Sequence, residues 1–288
     1  MSKLKSLIWN IRIHPLLWGI VAISIATAHF LELCLLIGII FIHEMGHALA
    51  ASFFSWRIKQ ITLLPFGGVA EFDEHGNRPL KEETLVVLAG PLQHVWMIAI
   101  AVILTKLAWL PEDLYQLFIH YNLMILIFNL LPIWPLDGGK LLFLLFSLQK
   151  PFPHAHRLTL VISAFALGFF AVLILLSAPY HVNVWVVIAF LYFSIYYEWK
   201  QRRFVFMRFL MERYYGKKDG PHLLVPLKVD GEELLIQVLE RFQRGCKHPI
   251  IIDSVDNEER MLDENELLHA YFTERRVTDK IRDLLFSY

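Results

Sequence analysis

The chain has 288 residues, of which 56% are hydrophobic and 19% are charged. Its mean hydropathy of +0.49 is typical of a membrane protein and argues against an ordinary globular one. Basic and acidic residues both number 27, so the net charge of zero gives no sign of direct nucleic-acid binding. The two cysteines, Cys34 and Cys246, form no CxxC pair, so neither a disulfide framework nor a cysteine zinc site is indicated.

The charged residues are unevenly distributed. Long stretches of residues 1–200 are nearly free of charge, whereas the remainder is rich in it. We therefore predict a six-span membrane domain over 1–200, a basic and aromatic interfacial linker over 201–220, and a small soluble domain over 221–288.

The apolar segment at the N-terminus has two interpretations. Residues 16–30 follow Lys3, Lys5 and Arg12, and Ala26–Ala28 has the small-x-small pattern of a cleavage site, so the segment resembles a signal peptide. Because a second apolar run follows almost at once, we interpret 16–30 as a retained first span.

The second apolar run, Leu31–Phe54, is long enough to cross a bilayer but contains ionisable residues in its middle. The H-E-x-x-H spacing places His43 and His47 one turn apart on the same helix face, where both imidazoles can bind one metal ion. Glu44 is then a candidate general base. A helix whose polar face packs against partners is the alternative, but each ionisable group inside a span costs about 2–3 kcal/mol unless it is coordinated or paired.

The segment Ile61–Phe72 is too short to cross a membrane and has Pro65, Gly67 and Gly68 at its centre. This pattern predicts a hairpin or re-entrant loop beside the site, where protein or a water-filled cavity must satisfy its backbone. An ordinary interfacial loop is the alternative.

The third predicted span, 84–107, contains His94, which we interpret as a hydrogen-bonded interior histidine rather than a ligand. In the fourth, Pro132 and Pro135 must break or kink the helix just before Asp137. An aspartate in apolar sequence needs a partner, and a metal on two histidines needs a third ligand. Two histidines, one carboxylate and an open position are the usual catalytic zinc arrangement, although these ligands also suit iron.

Two further spans are predicted at 158–178 and 182–197, which makes six in all. His154 and His156 precede the fifth span in a short polar stretch and are expected to be solvated. Most basic residues that flank the spans fall on one side, so the positive-inside rule places both termini in the cytoplasm.

The soluble domain alternates between the two kinds of secondary structure. Strands are predicted at 223–229 and 249–253, and helices at 232–242 and 264–272. This small α/β module is marginal in size by itself, so we expect it to pair with a second copy across a homo-oligomer.

Three motifs together resemble the site-2 protease family of intramembrane zinc metalloproteases. They are HEMGH in the second span, AGP in the third and NLLPIWPLDGGK in the fourth, and the resemblance covers about residues 1–200. It implies that His43, His47 and Asp137 bind one zinc ion and that Glu44 is the general base.

The resemblance also implies a substrate site. Asn129 and Pro135 match positions near the place where the family holds an extended substrate. Phe66, Gly67 and Gly68 match the membrane re-entrant loop of the family, a candidate substrate gate or edge.

Six spans followed by a tail that resembles a CBS domain are similar to the members of the family that act in sporulation. This implies that the enzyme cleaves a membrane-associated sigma-factor precursor in the mother cell of an endospore-former, at the outer forespore membrane. It also implies inhibition by partner membrane proteins. A CBS domain would allow adenine-nucleotide binding, but Asp263–Glu266 stands where the Ser/Thr-x-x-Asp pattern is expected.

Two other classes of function fit the same residues. Intramembrane His, Glu and Asp also mark ion paths, so the chain could be a metal or ion transporter. It could also be a non-catalytic membrane protein whose function lies in its CBS-like tail. A protease retains zinc but loses turnover when Glu44 becomes glutamine, and a protease core keeps its metal without 221–288.

Overall fold

The structure of the protein, a computed structural model, describes residues 11–13, 18, 21, 24–56, 58–64, 67–72, 78–177, 179–216, 223–253 and 260–285. Its helices in these ranges are α1 (Phe30–Phe53), α2 (Leu80–Lys106), α3 (Glu112–Asn129), α4 (Asp137–Ser147), α5 (Phe152–Ser177), α6 (Val182–Tyr215), α7 (Leu235–Leu239), α8 (Glu264–Phe272) and α9 (Ile281–Leu285). Its strands are β1 (Ile11–Ile13), β2 (Ile58–Leu64), β3 (Gly67–Phe72), β4 (Leu223–Leu224), β5 (Leu227–Asp230), β6 (Cys246–Lys247), β7 (Ile250–Asp253) and β8 (Arg260–Leu262).

Within the described ranges, four helices are long and apolar enough to cross a membrane: α1, α2, α5 and α6. They coincide with the second, third, fifth and sixth predicted spans, which are therefore found as long apolar helices. Helix α6 continues to Tyr215, so the boundary predicted near residue 200 lies inside one continuous helix. The predicted first span, 16–30, lies largely outside the described residues.

The fourth predicted span is broken into α3 and α4 by the irregular segment 130–136, as the two prolines predicted. Ser163 holds this segment, because its Oγ accepts a hydrogen bond from the backbone N–H of Trp134 at 3.0 Å. Gly138 lets the first turn of α4 pack against it, since a Cβ there would lie 2.2 Å from the Leu130 carbonyl oxygen.

Strands β2 and β3 form an antiparallel hairpin in which Leu64 lies opposite Gly67, so the predicted hairpin is confirmed. The hairpin packs against α1. Strand β1 pairs in parallel with β2, which gives the order β1-β2-β3. The prediction of an all-α membrane domain is therefore corrected to a mostly helical domain with a three-stranded sheet.

The chain divides into two compact units. The first comprises Met1–Glu74, Lys81–Leu141 and Ile162–Ile195, and the second comprises His75–Leu80, Leu142–Val161 and Tyr196–Tyr288. The second unit contains more than the predicted soluble domain because the start of α5 and the end of α6 pack with it. For example, the rings of Phe152 and Phe209 stack with centroids 4.3 Å apart, and the Phe152 N–H donates to the Phe242 carbonyl at 2.9 Å.

The expectation that His156 is solvated is wrong. It lies in α5, is 3% exposed, and its Nε2 is 3.0 Å from Glu198 Oε1. Because α5 begins at Phe152, the spacing of four residues places His156 on the same buried face as that aromatic ring. His154 is exposed, as predicted.

The tail contains a sheet of order β5-β7-β8, in which β5 is parallel to β7 and β7 is antiparallel to β8. With α7 and α8 the chain order is β-α-β-β-α, so the predicted alternation is found and β8 is an addition to it. The sheet and helices bury a small apolar core that includes Val229, Leu239, Ile252 and Leu268.

A buried polar network joins the end of α6 to this module. The Arg213 guanidinium donates to the Glu264 carboxylate and to the backbone carbonyls of Gln243 and Cys246. The backbone N–H of His248 donates to Glu264 Oε2 at 2.9 Å. Glu264 is thus both buried and paired, which is the condition under which a buried carboxylate is tolerated.

His248 lies in this network with both ring nitrogens engaged. Its Nδ1 donates to the Val225 carbonyl at 2.8 Å, and its Nε2 accepts the backbone N–H of Gln243 at 2.9 Å. Burial is the largest cause that holds the pKa of His248 below its ordinary value of 6.5. The charge of Arg213 also lowers this pKa, whereas the Val225 carbonyl and Glu264 raise it.

We expect the tail to lose stability as the pH falls below 6.5. Below this pH, His248 is protonated in the unfolded tail but stays neutral in the folded tail. The free energy of unfolding therefore falls by up to about 1.4 kcal/mol per pH unit, until the pH drops below the pKa of His248 in the folded tail. Protease resistance of the tail in the detergent-solubilised full chain measures this. His248→Asn keeps an N–H donor for the Val225 carbonyl but cannot be protonated, so it should weaken the dependence of protease resistance on pH. His154→Asn, at an exposed position, should leave that dependence unchanged. A slope unchanged in His248→Asn would contradict the assignment.

Candidate metal centre

Helix α1 presents His43 and His47 on one face, one turn apart, as the motif predicted. They are 2% and 6% exposed, and Glu44 beside them is 7% exposed. Asp137, the first residue of α4, is 3% exposed. The structure brings these four predicted residues into one buried region.

The three predicted ligand atoms form a small triangle. His43 Nε2 and His47 Nε2 are 3.0 Å apart, and each is 3.1 Å from Asp137 Oδ2. A triangle of this size leaves room for an ion about 2 Å from every corner, which is the length of zinc bonds to nitrogen and oxygen. Among the described residues, these three side chains form the group of His, Cys, Asp and Glu suited to a metal ion.

The donor chemistry fits a cation. His47 Nδ1 lies 2.8 Å from the carbonyl oxygen of Val86, which can only accept, so the ring proton is on Nδ1 and Nε2 carries a lone pair. That lone pair faces the carboxylate oxygen Asp137 Oδ2. A contact of this length between them needs either a proton or a metal cation, and with a neutral imidazole the arrangement suits Zn²⁺.

Lys140, one turn after Asp137 on α4, was not predicted to contribute. Its Nζ is 3.2 Å from Asp137 Oδ1, whereas Asp137 Oδ2 faces the two imidazoles. The two oxygens of the carboxylate thus have different partners. The spacing of three residues in the motif DGGK is the signal that could have revealed this pair, since such residues are neighbours on a helix.

Gly90 in α2 provides the space for both imidazoles. A Cβ at this position would lie 2.1 Å from His47 Nε2 and 2.8 Å from His43 Nε2. Any side chain here would therefore occupy the place of the ligands. The small residues of the AGP motif permit the close approach of α2 to α1.

His94 and Asn122 complete the surroundings of His43. His94 Nε2 is 3.1 Å from His43 Nδ1, and His94 Nδ1 is 2.9 Å from Asn122 Oδ1. His94 is therefore a hydrogen-bonded interior histidine, as predicted. Asn122 was not singled out from the sequence, because an amide in an apolar helix does not reveal which side chain it faces.

The predicted substrate residues lie in three places. Asn129 ends α3 and its amide donates to the Ile125 carbonyl at 3.0 Å. Pro135 lies in the irregular segment before α4 and follows a cis peptide bond. Gly67 and Gly68 begin β3, and Phe66 lies outside the described residues.

Comparison with known proteins identifies the family. Residues 31–110 and 97–175 match peptidase family M50, and together these ranges cover half of the chain. The chain is also 49% identical to stage IV sporulation protein FB of Bacillus subtilis over the full length of both proteins. The chain belongs to peptidase family M50.

One sequence match and one solved structure, both from Methanocaldococcus jannaschii, extend the comparison of this M50 peptidase. It is 34% identical to a zinc metalloprotease of Methanocaldococcus jannaschii over 104 residues, which are 35% of this chain and 30% of the relative. The solved structure of the site-2 protease from the same organism is 27% identical, with a TM-score of 0.53, and the match covers 65% of this chain and 89% of the other.

These likenesses decide among the classes of function considered from sequence. The M50 peptidase is a zinc metalloprotease and an integral membrane protein with the site-2 protease fold. The transporter and the non-catalytic regulator are set aside. Its buried group of two histidines and one aspartate fits the zinc ion that this class requires.

We expect Gly90→Ala to abolish zinc binding and proteolysis. The added methyl group must displace an imidazole or the backbone of α2, and such overpacking costs about 1–3 kcal/mol before the loss of the metal is counted. Bound zinc per chain, measured on purified full-length protein, checks this.

Gly38→Ala is the matched control, because it adds the same methyl group to α1 where nothing lies within 4 Å. It should retain zinc and gain up to about 1 kcal/mol in helix propensity. Equal zinc content in the two variants would show that the close contact at Gly90 is not needed.

Proposed function

We propose that the chain cleaves a peptide bond of a membrane-associated protein, with His43, His47 and Asp137 as the zinc ligands and Glu44 as the general base. The observation that carries the proposal is the buried triangle of ligand atoms with sides of 3.0–3.1 Å. These residues lie on helices α1 and α4, so the site is held by rigid elements rather than by loops.

Each residue has a distinct part in hydrolysis. When bound, zinc supplies Lewis-acid polarisation of the scissile carbonyl group and of the attacking water. The Glu44 carboxylate takes a proton from that water and later delivers it to the nitrogen of the leaving amine. His47 keeps its Nε2 lone pair toward the site through its bond to the Val86 carbonyl. Lys140 offsets part of the negative charge of Asp137.

Glu44→Gln should retain zinc and lose turnover by about 10²–10⁴-fold, because the amide cannot accept the proton but leaves the three ligands in place. The measurement pairs bound metal per chain with cleavage of a co-expressed membrane-associated sigma-factor precursor. Glu112→Gln, an exposed change in the first turn of α3, is the control and should retain both. Full cleavage by Glu44→Gln would remove Glu44 from the mechanism.

We infer that the substrate is a sigma-factor precursor of sporulation, from which the enzyme removes a pro-sequence. The support is the 49% identity to stage IV sporulation protein FB over 288 residues, which cover 100% of each sequence. Inhibition by partner membrane proteins in the mother cell, at the outer forespore membrane, belongs to the same proposal.

The hairpin offers a place for an extended substrate. A peptide bond within a helix is shielded, so the substrate must unwind and present itself as a strand. Among the described strands, β3 lies at the edge of the sheet β1-β2-β3 and begins with Gly67 and Gly68. We propose that the substrate adds to this edge by backbone hydrogen bonds. Phe66 and Pro135 belong to the same proposed substrate site.

Asn129 is proposed to bind the substrate with the remaining capacity of its amide, since its hydrogen bond within the described part of the chain is the one that it donates to the Ile125 carbonyl. Asn129→Leu should therefore lower the cleavage rate about tenfold, the loss of one or two hydrogen bonds, while zinc content stays the same. Cleavage at the wild-type rate would show that the substrate does not use this side chain.

The topology proposal follows from the basic residues. Six spans with both termini in the cytoplasm would place His43, His47 and Asp137 toward the cytoplasmic side. The four apolar helices of the described chain support a multi-pass protein. A cysteine-labelling map of the loops tests the orientation.

The tail is proposed to be a CBS-like regulatory domain that joins two copies of the chain. The β-α-β-β-α order supports this. Binding of an adenine nucleotide stays a prediction. In the stretch Asp263–Glu266, Glu264 is engaged by Arg213, and the Asp263 N–H donates to Glu266 Oε2 at 2.9 Å, as in a helix capping box.

A further inference from the structure

A chain of hydrogen bonds leads from His43 into the interior of the membrane domain. His43 Nδ1 is 3.1 Å from His94 Nε2. His94 Nδ1 is 2.9 Å from Asn122 Oδ1, and Asn122 Nδ2 is 3.2 Å from the carbonyl oxygen of Phe118. His94 and Asn122 are both 0% exposed, so water cannot replace any of these partners.

The donor and the acceptor of each of these hydrogen bonds can be assigned by starting from the Phe118 carbonyl. The Phe118 carbonyl can only accept, so the amide nitrogen of Asn122 faces it and Oδ1 faces His94. An amide oxygen also only accepts, so His94 carries its proton on Nδ1 and presents a lone pair at Nε2. His43 must then donate from Nδ1, which leaves the lone pair on its Nε2.

We propose that His94 and Asn122 are positioning residues that hold His43 in the one tautomer and orientation that can bind the metal. The inference rests on the proposed function, in which His43 Nε2 is a zinc ligand. It concerns residues on α2 and α3, outside the H-E-x-x-H motif and outside the ligand set.

The two ligand histidines are held by different means. His47 donates from Nδ1 to a backbone carbonyl, that of Val86, which no substitution removes. His43 depends on two side chains instead. A partner on the second ring nitrogen fixes the tautomer of a ligand histidine and increases its basicity, and the loss of such a partner costs about 10–100-fold in metal affinity. Substitutions at His94 or Asn122 can therefore change how strongly His43 binds the metal, although neither residue binds it directly.

The deciding experiment measures zinc affinity by chelator competition on full-length protein in detergent. His94→Phe keeps a ring but removes the acceptor for His43 Nδ1, and should weaken zinc binding about 10–100-fold. His94→Gln supplies an amide oxygen as acceptor and should restore part of the loss. Asn122→Leu removes the acceptor for His94 Nδ1 and is the second variant if His94→Phe does not fold.

Thr159→Val is the matched control for the loss of a buried hydrogen bond. Thr159 is 0% exposed and its hydroxyl donates to the Ala155 carbonyl of its own helix, far along the chain from the ligands. This variant should bind zinc like the wild type. Cobalt substitution adds a readout that general destabilisation does not move, since the ligand-field bands report the coordination geometry of the bound ion.

The outcomes separate the two proposals. Weaker zinc binding and shifted cobalt bands in His94→Phe and Asn122→Leu, with recovery in His94→Gln, establish the positioning role. Wild-type affinity and spectra in both variants overturn it while leaving the zinc site intact. Wild-type protein without stoichiometric zinc and without cleavage would instead overturn the proposed function, and the inference with it.

Discussion

The membrane domain depends on one constraint: three electron-rich atoms lie within 3.0–3.1 Å of one another in a buried site. Each is polar, and each must be aimed at a common point before an ion can bind. Burial makes every misdirected lone pair costly, because a buried polar group without a hydrogen-bond partner loses the hydration that it has in bulk water. The helices around the site serve to orient these atoms.

Three helices share that task in different ways. Helix α1 places two imidazoles by spacing alone, and α2 supplies the Val86 carbonyl that orients one of them. The break before α4 lets Asp137 begin a new helix within 3.1 Å of both histidines. The tail also contains a buried charged group that needs partners. The Arg213 guanidinium and the backbone N–H of His248 donate hydrogen bonds to the carboxylate of Glu264. In both units, the polar groups that define the structure have their hydrogen-bond partners inside it.

The motif residues could be predicted because their chemistry depends on spacing within one helix, and Asp137 because two prolines marked the break before it. The partners of His43 could not. In a helix that is apolar on all sides, periodicity does not reveal which face meets a neighbour, so the pairing of His94 with Asn122 depends on packing between α2 and α3. The prediction that His156 is solvated was wrong for a related reason. Its burial depends on where α5 begins, and the charged residues nearby suggested a polar loop instead of the start of a helix.

The close contact at Gly90 also links the site to the lipid around it. Helix α2 has 27 residues, which is about 40 Å at 1.5 Å per residue, whereas the hydrocarbon core of a bilayer is about 30 Å thick. A helix of this length is accommodated by tilting, by kinking or by local thickening of the bilayer, and its tilt is set by packing against neighbouring helices. At Gly90 that packing brings backbone against both imidazoles, with no flexible side chain between them. A change in how α2 packs in its membrane therefore moves the two imidazoles as well.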